Sequence, residues 1–491
     1  MQHKHTRIGV LLMLAFCFAA GAPKTFAQFP VINPEPIDNP NPPTTPSLPP
    51  SGIRNVLLLV VDDMGIDRSR QYIPVTGNAP IDLPATPTMR RLARSGIIFH
   101  NAWANPVCSP TRAGVLTGRH AFRTTVTNAI PSGPDLPAAE ITLPEVIASA
   151  GYVSGLFGKW HLGGGATGPN DQGFAEHRGG LTGALTAYDS WNKYVNGVRV
   201  DGNPTTGAID PVTQYATEAN VQDAFDWIDA QTSPWFAMVA FNAAHTPLHT
   251  PTATCDGVTS LVPDLNGMIA CVDYHIDWLL TELESSGALE NTTVIFIGDN
   301  GTDSASILGP FSGSPNPSYK GEVYEGGIRV PFIIADGYHL THGTVAPSSS
   351  GLGYISSPDR REEAMVHTVD IFATVARIAG VASTAEDSVS MLPHMGTGSF
   401  FFPPFLYARQ SMYTERCTSS MYQAAIRNSQ YKLIYRYDYN ASTLVQELYA
   451  VSDLAEVTNL FGTGIADEVV LVGELNSMWA SESYDPLTGC P

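Results

Sequence analysis

The stretch RNVLLLVVDD, residues 54–63, decides the fold. From Arg54 to Val61 it reads as a strand whose apolar run, Val56 to Val61, is unbroken, and two carboxylates come directly after it. A strand with one wet face alternates apolar and polar side chains. A run without that alternation predicts a strand buried on both faces, as in parallel sheets covered by helices.

Outward from this strand the same rhythm recurs. Thr86-Pro87 opens a predicted helix with Met89, Leu92 and Ala93 on one face, ended by Gly96. Thr142-Leu143-Pro144-Glu145 is a capping box before a helix that stops at Gly151, and Tyr152 to Phe157 reads as the next strand. A helix around Ala219 to Ala230 precedes a strand from Trp235 to Phe241, and a helix from Met268 to Leu283 leads to a strand from Thr293 to Ile297. The alternation predicts an α/β fold with a large, mostly parallel sheet sandwiched by helices. From about Phe400 the pattern changes. Tyr422 to Arg427, Tyr431 to Arg436 and Gln446 to Tyr449 read as short antiparallel strands of a smaller C-terminal α+β domain.

Polar residues gather just past the strand ends. Asp62 and Asp63 follow Val61; Lys159 and His161 follow Phe157; His245 follows Phe241; Asp299 and Asn300 follow Ile297. In an open α/β sheet the carboxyl ends of the strands line one crevice where ligands bind, so these distant residues are expected to converge. A single Asp after a strand is usually a turn residue or N-cap; four ends with complementary groups say more. Three carboxylates and an amide oxygen are hard donors suited to Ca²⁺ or Mg²⁺ and not to zinc. Lys159, His161 and His245 suit an anion with several oxygens. A hard cation facing cationic side chains is the layout for phosphoryl or sulfuryl transfer.

Composition excludes other classes. Lys and Arg total 26 against 46 Asp and Glu, a net charge of −20, and the sequence shows no basic run for a nucleic acid. A hydrophobic share of 43% excludes disorder throughout. The N-terminus reads as an export signal: Lys4, His5 and Arg7, then an apolar run from Ile8 to Ala20, then Thr25-Phe26-Ala27 with cleavage after Ala27. That run is too short to span a bilayer, which takes about 20 residues, and no other segment reads as transmembrane. Cleavage removes Lys4, Arg7 and Lys24, leaving 23 basic residues against 46 acidic ones, a net −23. The expected location is the periplasm or the exterior. Residues 28–51 read as a linker, because nine prolines between Pro30 and Pro50 forbid helix and sheet ladders.

Six cysteines remain to be placed. Cys17 leaves with the signal. The nearest pairing of the last four is Cys255–Cys271 with Cys417–Cys490, although sequence alone leaves the connectivity open. Cys108 is then the odd one out. Pro110 suits a first helical turn, which puts Cys108 at a helix N-terminus, where backbone N–H groups favour anions.

The string around it, CSPTRAGVLTGRH from Cys108 to His120, resembles the signature of the sulfatase family, within the alkaline-phosphatase-like superfamily. The likeness extends through NVLLLVVDDMG, GKWHLGG, AAHTPLHTP, IGDNG, YKGEVYEGGIRVPFII, DIFATVARIAGV and ELYAVSDLAEVTNL, and is closest to arylsulfatase-type members. One departure is Thr111, where Ser is most often found.

The resemblance implies that Cys108 is oxidised to Cα-formylglycine by a formylglycine-generating enzyme before or during export. The aldehyde hydrates to a diol; one hydroxyl attacks sulfur and displaces the alcohol, and collapse of the sulfated hemiacetal releases sulfate. By the same match, Asp62, Asp63, Asp299 and Asn300 hold the metal, Ca²⁺ with Mg²⁺ as the alternative, together with an oxygen of residue 108. Arg112 steadies the diol, Lys159 neutralises sulfate oxygens, and His161 is the base for collapse. His245 and Lys320 bind sulfate and assist the leaving oxygen. The expectation is an exported sulfuric ester hydrolase acting on an aryl sulfate or a sulfated carbohydrate. Its parts are a signal peptide (1–27), a linker (28–51), a catalytic domain (52–399) and a C-terminal subdomain (400–491). The rivals are a phosphonate monoester or phosphodiester hydrolase of the same superfamily, and a non-catalytic binder of sulfated polymers. The alcohol is expected to be read by residues 166–211 and 309–318, where Tyr188, Trp191 and Tyr194 either stack on a ring or pack the loop.

Overall fold

The apolar run becomes the middle of a ten-stranded sheet. The computed structural model describes residues 54–200, 212–251, 255, 264–343, 355, 357–383, 385–396, 409–482 and 484–490. The predicted signal peptide and linker lie outside these residues, as do residues 201–211 of the predicted substrate loop. The strands are β1 (Asn55–Val61), β2 (Gly96–Trp103), β3 (Val153–Gly158), β4 (Glu176–Gly179), β5 (Lys193–Val195), β6 (Val198–Val200), β7 (Trp235–Ala240), β8 (Thr292–Gly298), β9 (Phe332–Asp336) and β10 (Arg360–His367). Their order across the sheet is β10-β2-β9-β8-β1-β7-β3-β4-β5-β6. From β8 through β4 all pairings are parallel, with Val60 opposite both Ile297 and Ala240. Antiparallel pairings are confined to β9, set between β2 and β8, and to the ribbon β4-β5-β6.

The lack of alternation in β1 has a direct cause. Leu57, Leu59 and Val61 enter one core, and Val56, Leu58 and Val60 enter another on the opposite face. Helices Pro87–Arg94, Ala216–Asp229 and Leu265–Ser285 cover the first face. Helices Cys108–Thr117, Leu143–Ala148 and Asp370–Ile378 cover the second. Each fully buried Leu or Val contributes about 1.5–3 kcal/mol, so both faces demand apolar residues. The predicted capping box is present: Thr142 N donates to Glu145 Oε2 at 2.7 Å.

Beyond the large sheet lies a separate four-stranded antiparallel sheet, with β11 (Met412–Cys417), β12 (Met421–Arg427), β13 (Tyr431–Asp438) and β14 (Thr443–Ala450). Here the alternation of period two is plain. Tyr422, Ala424, Ile426, Leu433 and Tyr435 pack under the helix Ala466–Ser481 through Leu471, Leu475 and Trp479. Ala425 and Ile434 face the other way, onto Trp103, Val323 and Tyr324. The disulfides are Cys255–Cys271 and Cys417–Cys490, with Cα atoms 5.3 and 5.6 Å apart, and Cys108 is free. No helix of the described residues is long and apolar enough to cross a membrane.

Strand β11 is not expected from sequence, because Glu415 and Arg416 break its apolar pattern. Glu415 is fully buried and accepts hydrogen bonds from Tyr413 Oη (2.7 Å) and Tyr422 Oη (2.8 Å). Burial pushes its carboxyl up to about 7, the two tyrosines offsetting only part of the effect. A raised folded-state value means that stability is complete below the ordinary Glu range and is lost as pH climbs through about 7. Glu415→Gln, which mimics the protonated form, is therefore expected to stabilise the protein at pH 8 by about 3 kcal/mol and at pH 5 by less than about 1 kcal/mol. Thermal unfolding at the two pH values reads the difference; a gap that does not widen with pH contradicts the buried neutral carboxyl.

Candidate active site

The carboxyl ends of β8, β1, β7 and β3 share one edge of the sheet, and bonds between neighbouring backbones fix the residues just past those ends. Asp62 N donates to Ala243 O (3.0 Å), Asp299 N to Val61 O (3.1 Å) and Lys159 N to Ala240 O (2.7 Å). The last bond needs glycine just before it: a Cβ on Gly158, at φ +107°, would lie 2.1 Å from Ala240 O. Asp63 and His161 adopt left-handed backbone at φ 57° and 60°. That conformation is unfavourable for residues with a Cβ and persists where the surroundings over-determine it, typically at functional sites.

The helix Cys108–Thr117 points its first turn at the same edge. Thr111 Oγ1 accepts from Asn105 N (2.9 Å) and donates to Val107 O (3.4 Å), securing the turn that presents Cys108. Both bonds use the hydroxyl that Thr shares with Ser, which accounts for the tolerated departure. Gly118, at φ 67°, ends the helix in the left-handed conformation.

All ten expected site residues are drawn together. Arg112 donates from Nε (3.2 Å) and Nη2 (2.7 Å) to Asp299 Oδ2, and from Nη1 to Lys159 O (3.0 Å). Lys159 Nζ is paired with Asp62 Oδ2. Lys320 Nζ lies 2.6 Å from Asp63 Oδ1, His245 Nε2 lies 4.0 Å from Asp63 Oδ2, and Asn300 Nδ2 donates to Asp63 Oδ1 at 2.8 Å. Cys108 Sγ is 3.2 Å from His161 Nδ1. Three carboxylates thus face three permanent cations, Arg112, Lys159 and Lys320. Asp62, Asp63, Asp299, Asn300, Arg112, Lys159, Cys108 and His161 are buried, while His245 and Lys320 keep side-chain exposures of 19% and 16% at the mouth.

The electrostatics reflect that crowding. Burial would raise the Asp63 carboxyl, but Lys320 and His245 hold it below the usual range. Burial pushes the Cys108 thiol up, and Lys159 pulls it back only in part, so the side chain is a protonated thiol rather than a thiolate. Burial and Lys159 lower His161 to about 2 against the pull of the Ile130 carbonyl, which keeps the imidazole neutral. His161 Nε2 sits 2.6 Å from Ile130 O, which can only accept, so Nε2 carries the hydrogen and Nδ1 turns a bare lone pair toward residue 108.

The donor set fits a hard divalent ion. Asp62 Oδ1 and Asn300 Oδ1 are buried with no partner among the described residues, an expensive condition that a cation relieves. Donor atoms of Asp62, Asp299 and Cys108 lie within 4.8 Å of one another. Carboxylate and amide oxygens suit Ca²⁺ or Mg²⁺. Among the described residues the one other cluster of possible ligands, Cys255, Cys271 and His275, has its sulfurs bound in a disulfide.

Several supporting groups escaped the sequence reading. Ser109 Oγ donates to His161 O (2.9 Å) and accepts from Ile130 N (3.2 Å), tying both sides of the imidazole to the helix. Behind the acidic cluster, Asp67 accepts from Thr302 Oγ1 (2.8 Å) and Leu308 N (3.0 Å). From the C-terminal sheet, Arg416 Nη1 and Gln423 Nε2 each donate to Gly321 O at 2.7 Å, bracing the residue after Lys320. A carbonyl carries no side-chain signal, but a charged pair inside a strand, Glu415-Arg416, is a usable clue. The open question of the loop aromatics closes on the packing side for two of the three. Tyr188 is buried and donates to Asn242 O and His245 O, both at 2.7 Å, and Trp191 is buried with Nε1 bonded to Gln214 O. Tyr194 is half-buried on β5. His249 lies against the Tyr188 ring and meets Tyr215 Oη at 2.8 Å. Arg119 pairs with Glu140 and Glu386, Arg123 with Asp387, and His120 packs on His367 and Tyr413, all away from the cluster.

Hard oxygen donors beside a cationic cradle, at the carboxyl edge of a sheet whose central strands are parallel, are the layout of a hydrolase of anionic esters. The chain belongs to the sulfatase family: the family model described as Sulfatase matches residues 54–381. It is a sulfuric ester hydrolase. The N-acetylgalactosamine-6-sulfatase of Mus musculus is 31% identical over 385 residues, covering 72% of this chain and 68% of that protein. A protein named simply sulfatase, from Formosa agariphila, is 26% identical over 500 residues, covering 83% of this chain and 84% of its own. The solved structure of Ps i-CgsB in complex with k-i-k-neocarrahexaose shares the fold, with a TM-score of 0.68 at 23% identity over 87% of this chain and 93% of that one.

Proposed function

We propose that this protein is an exported, formylglycine-dependent sulfatase that removes sulfate from a sulfated carbohydrate. The observation that carries it is the meeting of Cys108 with the His161 lone pair beside the three-carboxylate cluster. A buried, protonated thiol is a poor nucleophile, which argues for its conversion to formylglycine. Asp62, Asp63, Asp299 and Asn300 would hold Ca²⁺. Bound there, the ion and the formylglycine supply a Lewis acid and a hydroxyl nucleophile.

The remaining chemistry belongs to side chains. Cys108 Sγ marks where an oxygen of the modified residue lies. Arg112 locks that corner by bridging Asp299 and the Lys159 carbonyl. Lys159 and Lys320 bring ammonium groups that hold the charged sulfate oxygens, while new charge builds on the ester oxygen as its bond to sulfur breaks. His161 Nδ1 accepts a proton from residue 108. His245, at the mouth, donates one to the departing alcohol oxygen. The sugar assignment is supported by the relative named N-acetylgalactosamine-6-sulfatase. Export is supported by two disulfides, bonds that persist in oxidising compartments. Because Cys108 is 2% exposed, its oxidation must precede closure of the fold.

Mass spectrometry of the Cys108 peptide from active enzyme is expected to find formylglycine, with sulfate released from sulfated sugars in preference to phosphonate esters. An unmodified thiol in active enzyme, or a preference for phosphonates, overturns the proposal.

A further inference from the structure

Away from the active site the fold assembles a cationic cavity that no run of sequence announces. Arg70, Arg90, Arg94, Arg360 and Arg361 line one space of about 400 Å³, with Asp359 the one carboxylate among the lining residues. That volume is in the range of ligand pockets. Five of the chain's 26 lysines and arginines meet here, in a protein of net charge −20. The cavity lies near the starts of β2 and β10. Both strands run parallel to β1, so this edge is opposite to the one that carries Cys108.

Among the described residues no ion pair engages these five arginines. Arg70 donates to Pro84 O (2.7 Å) and Leu83 O (2.9 Å), and Arg360 to the His394 carbonyl, all neutral acceptors. Arg90, Arg94 and Arg361 are exposed and have no ion-pair partner among the described residues. Nearby carboxylates are turned elsewhere: Asp277 to Arg91 (3.3 Å), Glu362 to His394 (3.6 Å) and Glu363 to His100 (2.7 Å). Clustered like charges repel one another, and an anion with several oxygens relieves that repulsion. Guanidinium forks match sulfate oxygens in pairs, and the half-buried Ala93 adds an apolar patch to the lining.

We propose that this cavity is a second, non-catalytic site that holds a polysulfated polysaccharide to the enzyme. The choice of a glycan rests on the proposed function above; the anion site rests on the arginines. Tethering by such a site raises the local concentration of sulfate esters around the active site without any contact to the reacting bond.

The test uses full-length enzyme, dextran sulfate as the polymer, uncharged dextran and duplex DNA as controls, and 4-nitrophenyl sulfate as the small ester. The triple variant Arg90→Glu, Arg94→Glu, Arg361→Glu is expected to lose at least tenfold in affinity for dextran sulfate and most of the salt dependence of that binding. Its turnover of the small ester should stay within twofold. A Lys substitution at the same three positions keeps the charge, so partial recovery is expected. Unchanged dextran sulfate binding in the Glu variant overturns the proposal, as does an equal loss on polymer and small ester. Tighter arginine-dependent capture of DNA than of dextran sulfate overturns the glycan assignment. Failure of the sulfatase reading shows separately, as absent sulfate release by the unsubstituted enzyme on every ester while arginine-dependent polymer binding persists.

Discussion

Replacing Cys108 by alanine is expected to lower turnover by about 10⁴-fold or more while leaving the protein folded. Among the described residues the thiol makes one polar contact, to His161 Nδ1 at 3.2 Å, and takes no part in the ion pairs that knit the site. Its loss removes a sulfur-sized volume beside a helix terminus, worth about 1 kcal/mol, so the melting temperature should move by less than about 5 °C. Metal content should be nearly unchanged, because the four oxygen-bearing side chains remain. The measurement is sulfate release alongside thermal unfolding. Residual activity above a small percentage of the parent rate would mean that the attacking group lies elsewhere.

The second large effect is expected at Asp299, where stability and metal binding fall together. Asp299→Ala strips Arg112 of both contacts to its carboxylate partner, at 2.7 and 3.2 Å, and leaves the guanidinium with the Lys159 carbonyl at 3.0 Å and with Asp62 at 3.9 Å. Breaking a buried ion pair from one side costs about 3–5 kcal/mol, because the remaining charge stays out of water. Asp299 Oδ1 also accepts from Asp63 N at 3.3 Å, so the left-handed turn that aims Asp63 loosens as well. Elemental analysis after dialysis should find the divalent ion absent, and activity should fall with it. Asp299→Asn separates the two effects: the amide restores an acceptor for Arg112 and part of the stability, yet lacks the charge to hold the ion. Unchanged metal content in Asp299→Ala would remove this residue from the ligand set.

The residues at the centre were legible because they sit where a buried parallel strand ends. A strand apolar on both faces can place a polar group only at its tip, so Asp62, Lys159, His245 and Asp299 stood out against their own neighbours. Three kinds of feature stayed hidden. Ile130 acts through its carbonyl, which every residue possesses. Glu415 and Arg416 lie in a strand whose apolar pattern they break, because tyrosine hydroxyls on the next strand and on their own satisfy the acid. The arginine cavity is collected from residues near 70, 90 and 360, so no window of sequence holds more than a part of it. The net charge of −20 and the lack of a basic run argue against a nucleic acid partner, whereas the folded chain gathers five arginines on one edge.

The bracing of Gly321 by Arg416 and Gln423 bears on how this chain can be cut and recombined. Those two contacts join positions 95 and 102 residues apart, and they set the backbone next to a lysine that faces the acidic cluster. A chain ended before β11 would keep every strand of the large sheet and every expected catalytic side chain, yet lose the strut behind Lys320. It would also lay Trp103, Val323 and Tyr324 open to solvent. The final sheet is therefore unsuited to being trimmed away for expression or exchanged between relatives as an independent cassette. A chimera needs the 319–324 loop and the β11–β12 hairpin drawn from the same parent.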